Sequence, residues 1–525
     1  MRSIFQSEPT RPLSANKGNK MNALKSRLRM AQAACTACLS LFLMLPAAAN
    51  TCYVSGDTNK SNPAKPLGSA QNAYSALAQV EADAGCVEII VLYSETALDG
   101  GITLKDGQRL IGKQGPAGAL PVISNSSADE NDGNAVNLAR DNRIENLHFR
   151  NCYQSAVFGG NPGDFKIESS LITQFAQSGS TISIPEGIIF APPGIYIRTR
   201  SDITIDARDV EIREAKGSAI QMIIHDGNAE VVLENVAVRD LGALPDAHIS
   251  PGVSLLADGH ATVETIVRET SVTDIGEGQS NSDGMLFIAF ETASYALLVD
   301  GYQYTNLNDL GGRSATGLEI GIENGQGAVF DAEIRNSVLQ GGASLGMQVI
   351  DQGQGNNNSL TTHIHDNEIY DSGASGIEFD IGFGSINATN TFTLDNNLIV
   401  GAGASGIELY SIIGQQDVVN MLLEKNTILD SVWGMTFIHL VGAGAATLNL
   451  DAGLGALGSI GRNTIIGSQV ADVWVYTFDC CGFPQTPPFH VSAAGNWWGS
   501  ADGPANVLEE GAATVDVSPV LTEEP

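Results

Sequence analysis

The sequence predicts an all-β chain wound as a parallel β-helix, and three observations carry that expectation. A phrase recurs from about residue 140 to the end, clearest as Thr362–Ile381 (THIHDNEIYDSGASGIEFDI) followed by Phe392–Ile412 (FTLDNNLIVGAGASGIELYSI). The glycines that open the last strand of each copy, Gly194, Gly252, Gly284, Gly317, Gly346, Gly376, Gly406 and Gly434, recur every 30 residues or so, a solenoid period, with Ser218 and Ala471 read into the same slot in weaker copies. Every segment alternates apolar and polar residues with period two, and no run inside the repeats has helical spacing. Three short strands per coil, stacked about 4.8 Å apart, satisfy all three observations.

Asparagine supplies the turns. Asn146, Asn235, Asn336, Asn367, Asn397, Asn426, Asn463 and Asn496 each fall between two short apolar runs. Asn tolerates a left-handed backbone and hydrogen-bonds its own main chain at tight turns, so one per coil predicts a stacked amide ladder.

In chain order, Lys25, Arg27 and Arg29 precede the apolar stretch Ala31–Leu45 and then Pro46-Ala47-Ala48-Ala49. That is the pattern of a secretory signal over residues 1–49, cleaved before Asn50, with Met21 as an alternative start. No later segment is apolar enough to span a membrane, so the expectation is a secreted or periplasmic protein. The first 49 residues hold seven of the 27 basic residues and one of the 59 acidic ones, leaving 20 against 58 and a net charge of −38. Such a surface repels nucleic acid and anionic lipid.

Residues 50–140 read as an N-terminal cap and first coils, and residues 141–520 as coils of one continuous domain. A helix is expected from Ser69 to Ala84, with Ser69 as N-cap and Ala73, Leu77 and Val80 on one face, covering the open end of the solenoid. Cys52 and Cys86 are the expected disulfide, tying the first strand to the strand after that helix. Cys152, Cys480 and Cys481 remain, with a vicinal pair, two thiols or another link all open for the last two. The proline-containing stretch Ile172–Gly194 is expected to project as a loop, and Trp497 and Trp498 to close the far end.

The N-x-I … G-I-x-[IFLV] phrases and the closing GNWWGSADGP at Gly495–Pro504 resemble the right-handed parallel β-helix repeat proteins that bacteria secrete, within the pectate-lyase-like superfamily. The resemblance spans roughly residues 52–520. It implies a right-handed helix, an N-terminal capping helix, and work on polysaccharide at the outer face of the strand after each Gly. Its motifs are core and turn residues, which specify fold better than chemistry.

On that strand the residue after Gly points inward and the next outward. The first outward row then reads Leu286, Glu319, Gln348, Glu378, Glu408, Thr436, and the second Ile288, Gly321, Ile350, Asp380, Tyr410, Ile438. Glu378, Asp380 and Glu408 form a carboxylate cluster on adjacent coils, the candidate catalytic set. Glu319 and Tyr410 are candidate substrate contacts. Carboxylates this close disfavour joint ionisation, so one holds a raised pKa or a cation such as Ca²⁺ sits among Glu378, Asp380 and Glu408. A protonated acid beside an ionised carboxylate is the arrangement of glycoside hydrolysis.

Other signatures are absent. Asn281-Ser282-Asp283-Gly284 is similar to the N-T-D-G start of the polygalacturonase pattern, but the corresponding next coil reads Gly311-Gly312-Arg313-Ser314, so Asp283 reads as a turn residue. Pro245-Asp246-Ala247-His248 does not match the alginate epimerase signature. His365 and His439 read as wall residues. The sequence therefore predicts an exported β-helix that engages polysaccharide, cleaving it as a glycoside hydrolase or lyase; the alternative is a non-catalytic binding or adhesion module.

Overall fold

The computed structural model describes residues 50–525, apart from residues 58, 60, 178–181, 184–188, 216, 243–250, 278–282, 307–314, 342–343, 354, 356, 383–385, 414–415, 442–445 and 479–487. The expected signal segment, the Asn281-Ser282, Gly311–Ser314 and Pro245–His248 motifs, and Cys480-Cys481 lie outside the described residues.

Most coils contribute two strands to one long sheet and a third to a second sheet, and in three coils the first two are merged, as Phe165–Thr173, Ile203–Ala215 and Asn228–Gly242. One coil runs Ser359–His365, Glu368–Tyr370, Ile377–Gly382. The first sheet has 26 strands and the second 14, and each third strand pairs in parallel with its equivalents on the coils before and after. The chain is a right-handed parallel β-helix. Eleven strands of the 14-stranded sheet matter below: β1 (Val157–Gly160), β2 (Ile195–Thr199), β3 (Ile220–Ile224), β4 (Val253–Ala257), β5 (Met285–Glu291), β6 (Leu318–Gly325), β7 (Met347–Gln352), β8 (Ile377–Gly382), β9 (Ser405–Ile413), β10 (Trp433–Val441) and β11 (Ala471–Phe478).

The glycine column exists because stacked coils approach too closely for a side chain. A Cβ at Gly376 would lie 2.7 Å from the Gly406 carbonyl oxygen, and one at Gly284 2.2 Å from that of Gly317. The register corrects the two weak copies. Gly194 and Gly252 stack on Ala219, and Gly434 on Asp472, so these residues, not Ser218 and Ala471, hold the slot. In a strand a one-residue slip exchanges the inner and outer faces.

The asparagines divide into two sets with different work. Asn367, Asn397, Asn426, Asn463 and Asn496 are buried, and each of the first four donates its Nδ2 to the Oδ1 of the next, at 2.9–3.0 Å. Their second amide hydrogens reach backbone carbonyls, for example Asn397 Nδ2 to Ile364 O at 2.8 Å. Asn146, Asn235 and Asn336 instead sit one position earlier in the turn, at φ between 52° and 54°, where later coils carry Asp366, Asn396, Lys425 and Arg462 in the same left-handed conformation. The ladder is therefore confined to the C-terminal coils, and Ser337 stands at its edge, donating its backbone N–H to Asn367 Oδ1.

At the N-terminus the helix is a single short element, Leu77–Ala82, rather than Ser69–Ala84. Ser69 forms a bridge with Asn72 in a turn, and Ala76 precedes the helix without a side-chain cap. The apolar face was read correctly: Ala73, Leu77 and Val80 are buried. Cys52 and Cys86 are joined, with Cα atoms 5.5 Å apart. Cys152 is a buried free thiol, and burial pushes its pKa up to about 12. In the Ile172–Gly194 stretch, Ile182–Ser183 pairs antiparallel with Ile189–Phe190. Trp498 is in the core, but Val507–Glu510 and Thr514–Asp516 extend both sheets beyond it, so the tryptophans are not the last layer.

Candidate functional site

Pairing in the 14-stranded sheet places the two outward rows as columns. The first runs Phe158, Tyr196, Gln221, Ser254, Leu286, Glu319, Gln348, Glu378, Glu408, Thr436, Trp474. The second runs through Arg198, Ile223, Leu256, Ile288, Gly321, Ile350, Asp380, Tyr410, Ile438 and Tyr476 over the same coils. Glu378 thus stands directly opposite Glu408, and Asp380 opposite Tyr410. Glu319 is two coils from Glu378, with Gln348 between them.

These rows are not the open surface that the alternation predicts. Leu286, Ile288, Ile350 and Thr436 are buried. Tyr196, Ile223, Leu256, Leu286, Ile288, Phe290 and Ile350 form a second apolar cluster outside the coil interior. Stacking about 4.8 Å apart lets each long apolar side chain cover the one below, and the outer row dries out.

That dryness reshapes the carboxylates. A cleft of about 440 Å³ lies over β5–β8, with Asp283, Glu319, Glu323 and Glu378 in its walls beside Leu286, Ile288 and Phe290. Burial, reinforced by Glu408 and Asp380, lifts Glu378 to about 7 against a hydrogen bond from Gln348 Nε2 at 3.1 Å. Glu319 is pushed well above the carboxylate range by burial first and then by Asp283, Glu323 and Asp380. Burial also raises Glu323 and Asp380, the latter opposed by a 2.9 Å hydrogen bond from Gln352 Nε2. Desolvation disfavours the anion, and among the described lining residues no cation offsets it.

Two placements differ from expectation. Glu408 is not among the residues lining the cleft; Ser375 Oγ donates to its Oε2 at 2.5 Å, holding it on the neighbouring coil. Asp283, read as a turn residue, is buried, accepts the Thr316 backbone N–H at 3.2 Å, and is lifted to about 7 by burial. Its position before Gly284 was the available signal. The cleft walls among the described residues come from the turn that precedes each strand, Thr316, Ser344, Leu345 and Ala374.

Aromatic residues were missed on both flanks. Trp433, Trp474 and Tyr476 stack with centroids 5.5 and 5.7 Å apart, two to three coils beyond Glu378. Phe158 and Tyr196 pair at 5.6 Å on the N-terminal side. The misassigned slot at Ala471 hid the first group, since it turned Trp474 inward on paper. His439 is buried beside Ser411, its pKa lowered to about 4 by burial, and His365 pairs with Asp366 at 2.7 Å; neither belongs to the cleft.

Among the described residues, the one set of three metal-ligating groups that converges within 4.8 Å is Cys52, Asp83 and Cys86, two of which form the disulfide. Glu378, Asp380 and Glu408 are not such a set.

No family model matches the chain, and no curated protein matches it. Among solved structures it is similar to the A-module of Azotobacter vinelandii mannuronan C-5 epimerase AlgE4 at 13% identity, over 72% of this chain and 92% of that one, with a TM-score of 0.38. It is also similar to the GH136 lacto-N-biosidase of Eubacterium ramulus at 12% identity, over 76% and 68%, TM-score 0.29. A third is the Streptococcus pneumoniae surface protein and adhesin PfbA at 10%, over 70% and 94%, TM-score 0.24. Likenesses this distant say nothing of chemistry, and it is the chain's own register that stacks its strands in parallel coils.

Proposed function

We propose that the protein binds polysaccharide along the two outward rows and hydrolyses it at Glu378 and Glu408. The observation that carries this reading is positional: Glu378 lies in a cleft where carboxylates stand beside Leu286, Ile288 and Phe290, with a second glutamate in the same register on the adjacent coil. Glu378 is the general acid, carrying its proton at neutral pH to the leaving glycosidic oxygen. Glu408, oriented by Ser375, is the carboxylate that attacks the anomeric carbon, and Glu378 then returns as base for the hydrolytic water. Asp380 and Tyr410 steer the sugar, and Glu319 contacts it on the N-terminal side. Aromatic rings on either flank suit a sugar chain lying along the solenoid axis.

Stereochemistry tests the assignment. Adjacent coils, about 4.8 Å apart, match the roughly 5 Å separation of retaining enzymes, whereas Glu319 and Glu378, about 10 Å apart, resemble an inverting pair. Magnetic resonance of the first-formed product should show retained configuration. An inverted anomer would move the partner role from Glu408 to Glu319, and an unsaturated product absorbing near 235 nm would make the reaction a lyase. The alternative, a binding or adhesion module, is supported by the apolar Ile288 and Ile350 in the second row; it requires glycan binding with no bond cleavage.

A further inference from the structure

Toward the N-terminal coils the chemistry of the two rows inverts. Phe158 and Tyr196 stand in Glu378's row and Arg198 in Asp380's row, and they line a separate cleft of about 610 Å³ with Arg200 and Asn161. The two rings are 5.6 Å apart with their planes inclined by 35°. Asp132 is the one acid among the described lining residues, against two arginines. The whole chain carries a net charge of −32, so this local balance runs against its composition.

Six of the twelve described arginines answer carboxylates. Arg109, Arg143 and Arg335 each have an acidic partner within 3.0 Å. Among the described residues neither Arg198 nor Arg200 has one. Arg198 instead donates Nε to His225 Nε2 at 2.9 Å, which fixes the imidazole proton on Nδ1, where it is given to Asp258 Oδ2 at 2.9 Å. His225 is 6% exposed. A buried His, held by a half-buried Asp, thus takes the guanidinium by its Nε edge and directs a planar fork that matches a carboxylate or sulfate in bidentate fashion.

We propose that this cleft is a subsite for an acidic sugar residue, with Phe158 against its apolar face and Arg198 paired to its anionic group. The proposal rests on reading the outward rows as a polysaccharide track, and names the substrate class: an anionic glycan. Six coils separate Tyr196 from Glu378, about 29 Å, so the two clefts share one ligand only if it is a polymer of several residues. Arg198 is a binding residue here, and His225 with Asp258 its positioning residues.

The test is calorimetric binding of oligogalacturonate, a sulfated galactan oligomer and a neutral xylo-oligomer to the purified protein at low salt. Variants are Arg198→Ala, Arg198→Lys and Glu378→Gln, each checked for fold by circular dichroism. At least one anionic probe should bind more tightly than the neutral one, with affinity falling as salt rises. Arg198→Ala should lower that affinity tenfold or more and Arg198→Lys by less, with the neutral probe unmoved. Glu378→Gln should keep anionic binding, which separates this subsite from the catalytic reading: turnover can fail while the subsite stands. The proposal is overturned if the neutral probe binds as well as both anionic ones, if no probe binds, or if a folded Arg198→Ala protein binds anions like the parent. The carboxylate and sulfate probes together decide which anion the fork prefers.

Discussion

Glu378 and Glu408 stand opposite each other on adjacent coils, and the charge of Glu408 is, after burial, the largest reason that Glu378 holds its proton to about pH 7. If Glu378 is the general acid, turnover at saturating substrate should fall as pH rises through about 7, because the proton it must donate is gone. Glu378→Gln should lower kcat by about 10²–10⁴-fold and remove that alkaline limb, with KM changed far less. A pH–rate profile of wild type and variant checks both.

The same carboxyls tie stability to pH. Glu378 has a folded pKa raised from 4.5 to about 7, so the folded state binds its proton more tightly than the unfolded chain does. Its contribution is full below about pH 4.5 and is lost as pH rises through about 7, at most about 3 kcal/mol for this group. Glu319 shifts in the same direction and adds to the trend. Denaturation midpoints should therefore be higher at pH 5 than at pH 8, and Glu319→Gln/Glu378→Gln should flatten the difference. An unchanged slope in the double variant would show that the acids are solvated.

Removing one rung tests the amide ladder. Asn397→Ala takes the Asn397 Oδ1 acceptor from both the backbone N–H and Nδ2 of Asn367, and removes the Nδ2 donor to Asn426 Oδ1 and to Ile364 O, all at buried residues. Unsatisfied buried groups cost about 1–3 kcal/mol each, so a loss of about 3 kcal/mol is expected after partial relaxation. Asn336→Ala, at an exposed left-handed turn, should cost about 1 kcal/mol or less. Urea unfolding distinguishes the two, and equal losses would contradict the division of labour.

The disulfide makes a local prediction. Cys52 and Cys86 enclose the capping segment, a loop set by a separation of 34 residues. Cys52→Ser/Cys86→Ser should destabilise by about 3 kcal/mol and speed hydrogen exchange chiefly in Thr51–Leu92, since coils far along a solenoid contact only their neighbours.

Much of this was legible in the sequence because a solenoid repeats its constraints. Gly376 and Gly406 must be glycine where carbonyls of stacked coils approach, and that regularity fixed the register of the central coils and placed Glu319, Glu378 and Glu408 in one row. Where the constraint is met by Ala219 or Asp472 the marker vanishes, and past Asp472 the row was lost with it: Trp474 and Tyr476 went unread. The cap failed for a different reason. Ser69 and the residues after it have turn as well as helix chemistry, and a bridge to Asn72 won over a longer helix. Burial of the outer row was not visible either, because alternation reports which face a residue is on, not whether that face is wet. Asp283 was set aside because the rest of the polygalacturonase pattern is missing, and a raised glutamate pKa was expected from neighbouring charge, whereas burial is the larger cause.

Reducing-end release from a panel of uronic-acid and neutral polysaccharides, by wild type and by Glu378→Gln/Glu408→Gln, tests the central claim most directly. The account predicts release by the wild type from at least one glycan and loss of essentially all of it in a double variant that still folds. Release that survives the double substitution, or none from any glycan that the wild type binds, would contradict a catalytic role for this pair.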